Sequence, residues 1–123
     1  MKLGKVMGFL PTTDAKRARN FFENKVGLRF VAEDTYALVM ESNGTTIRIA
    51  IVQDFKSAPY TVLGWEVKDV ESVAREMATR GVVFEKYPFA KDKELGIWTS
   101  PEGAKVTWFK DPDGNVLSLT QHS

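Results

Sequence analysis

One arginine stands among isoleucines in the stretch Thr46-Ile47-Arg48-Ile49-Ala50-Ile51. On a β-strand, alternate side chains point to opposite faces, so the isoleucines share one face and Arg48 lies on the other with Thr46 and Ala50. A guanidinium in that place has two readings. Its planar fork of donors can hold a carboxylate, a phosphate or an enolate-like oxygen. It can also pair internally with a carboxylate, and Glu66 has the right strand parity. Other residues invite chemistry less strongly. Ser118 lies on a strand, and the chain's single histidine, His122, is four positions further on the same segment, roughly 13 Å away along a strand. A Ser-His nucleophile within one protomer is therefore not expected, and His122 reads as a solvated tail residue. Asp111, Asp113 and Asn115 suggest calcium, but no twelve-residue loop with a terminal Glu follows, so they read as turn chemistry.

The elements that position these residues begin with the C-terminal hairpin. Val106 to Lys110 and Val116 to Gln121 read as strands around Asp111-Pro112-Asp113-Gly114-Asn115, which continues neither. Upstream, Lys5 to Thr12 reads as a strand stopped by Pro11. Asp14 offers a cap for a helix over Ala15 to Lys25, with Ala18, Phe21, Phe22 and Lys25 on one face and Gly27 at its end. Strands follow at Leu28 to Glu33, Tyr36 to Glu41 and Thr45 to Val52, the last two joined through Asn43-Gly44. After a linker at about 54–60 the order starts again. A strand spans Thr61 to Lys68, and Asp69 caps a helix with Val70, Val73, Ala74 and Met77 on one face. Gly81 ends it and Val82-Val83-Phe84 begins a strand. Lys91 to Gly103 is extra, a charged loop followed by Ile97-Trp98-Thr99.

The two halves register: Asp14 and Asp69 are 55 apart, as are Met7 and Val62, while Gly44 and Gly114 are 70 apart, matching Arg48 with Ser118. Internal duplication accounts for this pattern. The expected fold is α+β, two tandem βαβββ repeats (about 5–53 and 61–121) in a single domain over 1–123.

Composition narrows the function classes. Without cysteine there is no disulfide, no thiolate catalysis and no Cys-ligated zinc. With 17 Lys+Arg against 16 Asp+Glu the net charge is +1, which gives no support to nucleic-acid binding. No apolar run is long enough for a membrane span, and Met1-Lys2-Leu3-Gly4-Lys5 lacks the apolar core of a signal peptide, so a cytoplasmic protein is expected.

The tandem repeat ending in Trp-Phe-Lys-Asp-Pro-Asp-Gly-Asn-Val-Leu-Ser-Leu resembles the vicinal oxygen chelate superfamily, the group of glyoxalases, bleomycin-resistance proteins and extradiol dioxygenases. The resemblance runs from Lys5 to Gln121. It implies a curved mixed sheet around a cavity, usually completed in a homodimer. It also implies a divalent metal held by His, Gln or Glu at positions that here fall on Met7, Arg48, Val62 and Ser118. None of these is a usual metal ligand, so no metal and no cofactor are expected. By strand parity the wall of such a cavity is Met7, Phe9, Val62, Gly64 and Ser118. Trp108 joins them, with Leu38 as its first-repeat counterpart, and Tyr60 and Trp98 line the mouth. Aromatic side chains with a few polar groups suit a small-molecule pocket, although at strand spacing they also suit a core. The expected function is metal-independent binding of a small organic molecule, anionic or aromatic in view of Arg48, in the manner of drug or metabolite sequestration. The alternative is a lyase, isomerase or dioxygenase with a noncanonical site, using Glu66 for acid-base work and Arg48 as oxyanion partner.

Overall fold

The computed structural model describes residues 1–123. The chain forms two units, Met1–Lys56 and Ser57–Ser123, and the boundary falls in the polar linker.

In the first unit, β1 (Met7–Thr12) is followed by α1 (Ala15–Asn20), then β2 (Arg29–Glu33), β3 (Ala37–Ser42) and β4 (Thr45–Ile51). The strand order is β1-β4-β3-β2, with β1 parallel to β4 and the other pairs antiparallel. Pro11 does not stop β1. It lies inside the strand opposite Ala50, because β1 is at the edge of its sheet, where a missing N–H is tolerated. The Asp14 side chain accepts from Arg17 N and caps α1 as its position suggested. The helix then departs from expectation. Phe21–Val26 is π-helical, with Gly27 N donating to Phe22 O five residues back and Gly27 in the left-handed conformation. The wider turn keeps adjacent Phe21 and Phe22 both in the core, their rings edge to face at 5.1 Å. Ile47 and Ile49 are buried on the helix-facing side with Leu10, Leu38 and Met40.

The second unit repeats this plan. β5 (Thr61–Glu66) leads to α2 (Val70–Thr79), capped by Asp69, and then to β6 (Trp98–Thr99), β7 (Lys105–Lys110) and β8 (Val116–Gln121). Its order, β5-β8-β7-β6, matches that of the first unit strand for strand. Val70, Ala74 and Met77 of α2 are buried with Phe84, Phe109, Leu117 and Leu119. The chain is thus an α+β fold of two βαβββ repeats.

The expected strand at Val82–Phe84 is reduced to one bridge, Phe84 to Phe109. Beyond Glu85, whose N–H donates to Trp108 O at 2.8 Å, the chain leaves the sheet and returns only at Trp98–Thr99, which pair with Val106 and Lys105. The inserted segment therefore divides the counterpart of β2 and starts earlier than Lys91. It is pinned from below. The buried Thr107 hydroxyl donates to Leu95 O at 2.6 Å, and Asp92 accepts from the backbone N–H groups of Glu94, Leu95 and Ile97. A side chain at Gly96, whose φ is +68°, would collide with the Glu85 carbonyl.

The closing hairpin is fastened by one carboxylate. Asp111 Oδ1 accepts from Asp113 N at 3.0 Å and Asn115 N at 2.9 Å, while Oδ2 accepts from Asn115 Nδ2 at 2.8 Å. The acids of this turn serve the backbone, as the sequence suggested.

Candidate functional site

Each sheet turns one face to its helix and leaves the other free of it. In the second unit the free face carries Val62, Gly64 and Glu66 from β5, Ser118 from β8, Trp108 and Val106 from β7, and Trp98 from β6. The rungs Gly64 to Ser118, Ser118 to Trp108 and Val106 to Trp98 place these residues side by side. Phe109 packs on the helix side against Phe84 and Trp65, so Trp108 points the other way.

The inserted segment completes this face with two rings. Tyr87 stacks on Phe89 at 5.3 Å, and both meet Trp108 edge to face at 5.5 and 5.7 Å. Phe89 also meets Trp98 at 6.3 Å. Offset and edge-to-face pairs of this kind hold one another in place. Trp108 is fixed further by its Nε1–H, which donates to Thr61 Oγ1 at 3.1 Å. Even so, Phe89 remains 56% exposed, a large apolar ring offered to solvent on an ordered support. Ser118 is only 8% exposed, and a Cβ at Gly64 would come within 2.5 Å of its Oγ. The bare backbone at Gly64 is what leaves room for that hydroxyl. Glu66 is exposed and lies 3.4 Å from His122 Nε2, an ion pair only when the imidazole is protonated.

In the first unit the corresponding face carries Met7, Phe9, Arg48 and Val39. Phe9 is 60% exposed, and Arg48 is half-buried with no hydrogen bond or ion pair of its own. The nearby carboxylate that feels its charge is Asp34. That carboxyl is held below its ordinary pKa chiefly by the Tyr36 and Ala37 N–H groups and, to a lesser degree, by Arg48. Leu38 is not on this face. It pairs with Ile49, is fully buried on the helix side, and yields its expected place to Val39, the partner of Arg48.

The family profile of the Glyoxalase/Bleomycin resistance protein/Dioxygenase superfamily matches residues 2–119. The chain belongs to this superfamily. Its fold is shared by solved structures. One is a glyoxalase/bleomycin resistance protein/dioxygenase superfamily member from Sphaerobacter thermophilus, with 20% identity, TM-score 0.75 and 98% of each chain covered. Another is TioX from Micromonospora sp. ML1, with 14% identity, TM-score 0.74, and 98% of this chain and 99% of that one covered. A third is a glyoxalase/bleomycin resistance protein/dioxygenase from Alicyclobacillus acidocaldarius, with 15% identity, TM-score 0.73, and 97% and 91% covered. No curated protein matches the chain by sequence.

The metal that many enzymes of this superfamily use does not fit the residues present. The sheet registers make Arg48 and Ser118 equivalent, opposite Phe9 and Gly64 respectively. Those two, with Met7 and Val62, are a guanidinium, a hydroxyl, a thioether and a hydrocarbon. A guanidinium repels a cation, and the other three are weak donors or none. Nowhere do three or more His, Asp or Glu side chains gather into a possible metal-holding group.

Of the residues the sequence singled out, Trp98, Trp108, Val62, Glu66 and Ser118 share the free face of the second unit, and Met7, Phe9 and Arg48 share that of the first. Tyr60 is exposed just before β5 and makes no ring contact. Tyr87 and Phe89 were missed. Their alternation in Tyr87-Pro88-Phe89, next to a proline and ahead of the charged run, was the available signal.

Proposed function

We propose that the protein binds a small organic molecule without a metal, holding an aromatic or anionic ligand in the manner of drug or metabolite sequestration. The observation that carries this reading is the ring group Tyr87, Phe89, Trp98 and Trp108 on the free face of the second unit, with Phe89 largely uncovered. An aromatic ligand stacking there gains dispersion and removes exposed apolar surface from water. The nearby Ser118 hydroxyl, engaged by no hydrogen bond, supplies a polar contact that fixes orientation. In the first unit, Arg48 supplies an uncommitted cation for a carboxylate or phosphate. A cytoplasmic homodimer belongs to the same reading, supported by the family resemblance and by Met7 and Phe9 standing exposed on the edge strand β1.

The test is titration with a panel of aromatic metabolites and drugs, read by tryptophan fluorescence and thermal shift. Quenching that is lost in Trp108→Ala is expected. Silence across the panel in both readouts refutes the reading.

A second reading is favoured by one contact, Glu66 with His122 at 3.4 Å. A carboxylate beside an imidazole is a proton-transfer pair, which suits a lyase or isomerase with a noncanonical site. Stoichiometric transition metal in protein purified without chelator, or turnover lost in Glu66→Gln, would select this reading over sequestration.

A further inference from the structure

The second unit contains a cavity of about 820 Å³ whose lining does not include Trp108 or Ser118, between the first turn of α2, the inserted segment and the β6–β7 edge. Three lysines line it: Lys68 before α2, Lys91 in the insertion and Lys105 at the start of β7. Three carboxylates, Asp69, Glu71 and Asp92, line it as well, so the formal charges balance. Their commitments do not. Asp69 Oδ1 accepts from Ser72 N as the helix cap, and Glu71 lies 3.5 Å from Arg75. Asp92 is encircled by the N–H groups of Glu94, Leu95 and Ile97. Burial pushes the Asp92 carboxyl up, but those amides outweigh it and leave the pKa lowered. None of the three lysines makes an ion pair or a hydrogen bond. The three carboxylates thus have partners of their own, whereas the three exposed lysines that line the cavity have none.

The apolar part of the wall comes from Phe89 and Trp98, whose rings meet edge to face at 6.3 Å, with Ile97 beside them. The α2 backbone is not the attraction. Val70 N–H already donates to Gln121 Oε1 at 2.9 Å, and Gln121 is itself part of the cavity lining. Lysines without ion-pair partners together with aromatic rings in one lining are complementary to a flat ring bearing a dianionic group.

The geometry points to a second binding site here, for a planar aromatic anion of at least two negative charges, such as an aryl phosphate or aryl polycarboxylate. It shares Phe89 and Trp98 with the ring group around Trp108 but takes its charged groups from Lys68, Lys91 and Lys105, which that group lacks. The probe is phenyl phosphate, titrated calorimetrically, with phenol and inorganic phosphate as the single-feature controls. Phenyl phosphate is expected to bind more tightly than either control. The exposed pair Lys91→Glu with Lys105→Glu is expected to weaken it by about tenfold, while Lys91→Arg with Lys105→Arg retains it. Backbone amide shifts in ¹⁵N-labelled protein should appear at Glu71, Ile97 and Thr99. No heat at millimolar phenyl phosphate, equal affinity in the charge-reversed variant, or phenol binding as tightly as the phosphate overturns the proposal. So do shifts confined to Val62 and Ser118, which would put the probe on the other face.

Discussion

Replacing Thr107 by Val tests whether the inserted segment is a fixed part of the second unit. The two side chains have nearly the same shape, so packing in this fully buried position is kept while one donor is lost. That donor is the Thr107 hydroxyl, which meets Leu95 O at 2.6 Å, and Leu95 is itself 5% exposed. The Leu95 carbonyl would then be buried beside a methyl group. A buried polar group without a partner costs about 1–3 kcal/mol. For 123 residues the unfolding entropy scales to about 4 °C of melting temperature per kcal/mol, so the midpoint should fall by about 4–12 °C. Denaturant unfolding gives the free energy, and amide exchange gives its location. Faster exchange should concentrate at Leu95, Gly96 and Ile97 and spare β5 and β8. Thr107→Ser, which keeps the hydroxyl, should hold those amides protected while losing some stability to the missing methyl. If Thr107→Val matches the parent in both stability and exchange, the strut is not what holds the insertion.

Three further outcomes follow from the same geometry. Gly96→Ala combines a positive φ with a collision against the Glu85 carbonyl, so it should destabilise by more than about 1–3 kcal/mol and be detectable as low soluble yield or a depressed midpoint. Gly64→Ala should push the Ser118 hydroxyl aside and weaken any ligand that Ser118 orients, and Ser118→Ala in that background should add little further loss by titration. Asp111 has its carboxyl pKa raised, by burial first and against the Asn115 hydrogen bonds. A raised folded-state pKa contributes stability that is fully present below the unfolded value of about 3.9 and is lost as pH rises through the folded value. Relative to Asp111→Asn, the parent should therefore gain stability as pH falls through that window, which urea midpoints at neutral and acid pH will measure. An unchanged difference would mean the hydrogen bonds cancel the burial.

The sequence carried the repeat because its punctuation is chemical. Asp14 and Asp69 cap helices, Asn43-Gly44 and the Asp111–Asn115 run turn hairpins, and these requirements are local. The faces of Arg48, Trp108 and Ser118 followed from alternation alone. Leu38 did not, and the reason is one residue. Between the rungs Glu41 to Thr46 and Lys110 to Val116, the first hairpin has four residues (42–45) and the second five (111–115). The offset is therefore 70 on the return strands but 69 on the outgoing ones, and a slip of one position reverses the face. Glycine spacing could match only one arm.

What the sequence determined by itself was the repeated order of the main elements, the helix caps, the turns and the faces of β1, β4, β7 and β8. It also fixed the poor donor set at the four positions where the superfamily's metal would bind. What only the tertiary structure decided was where the irregular segment goes. Residues 85–97 carry no strand or helix period, so nothing local says that Tyr87 and Phe89 meet Trp108 or that Thr107 reaches Leu95. The same holds for the three uncommitted lysines, 68, 91 and 105, which are scattered in sequence and meet around one cavity through the folding of the insertion onto α2 and β7. Contacts of that kind are non-local. They exist once the sheet fixes both ends of the segment, and no periodicity encodes them beforehand.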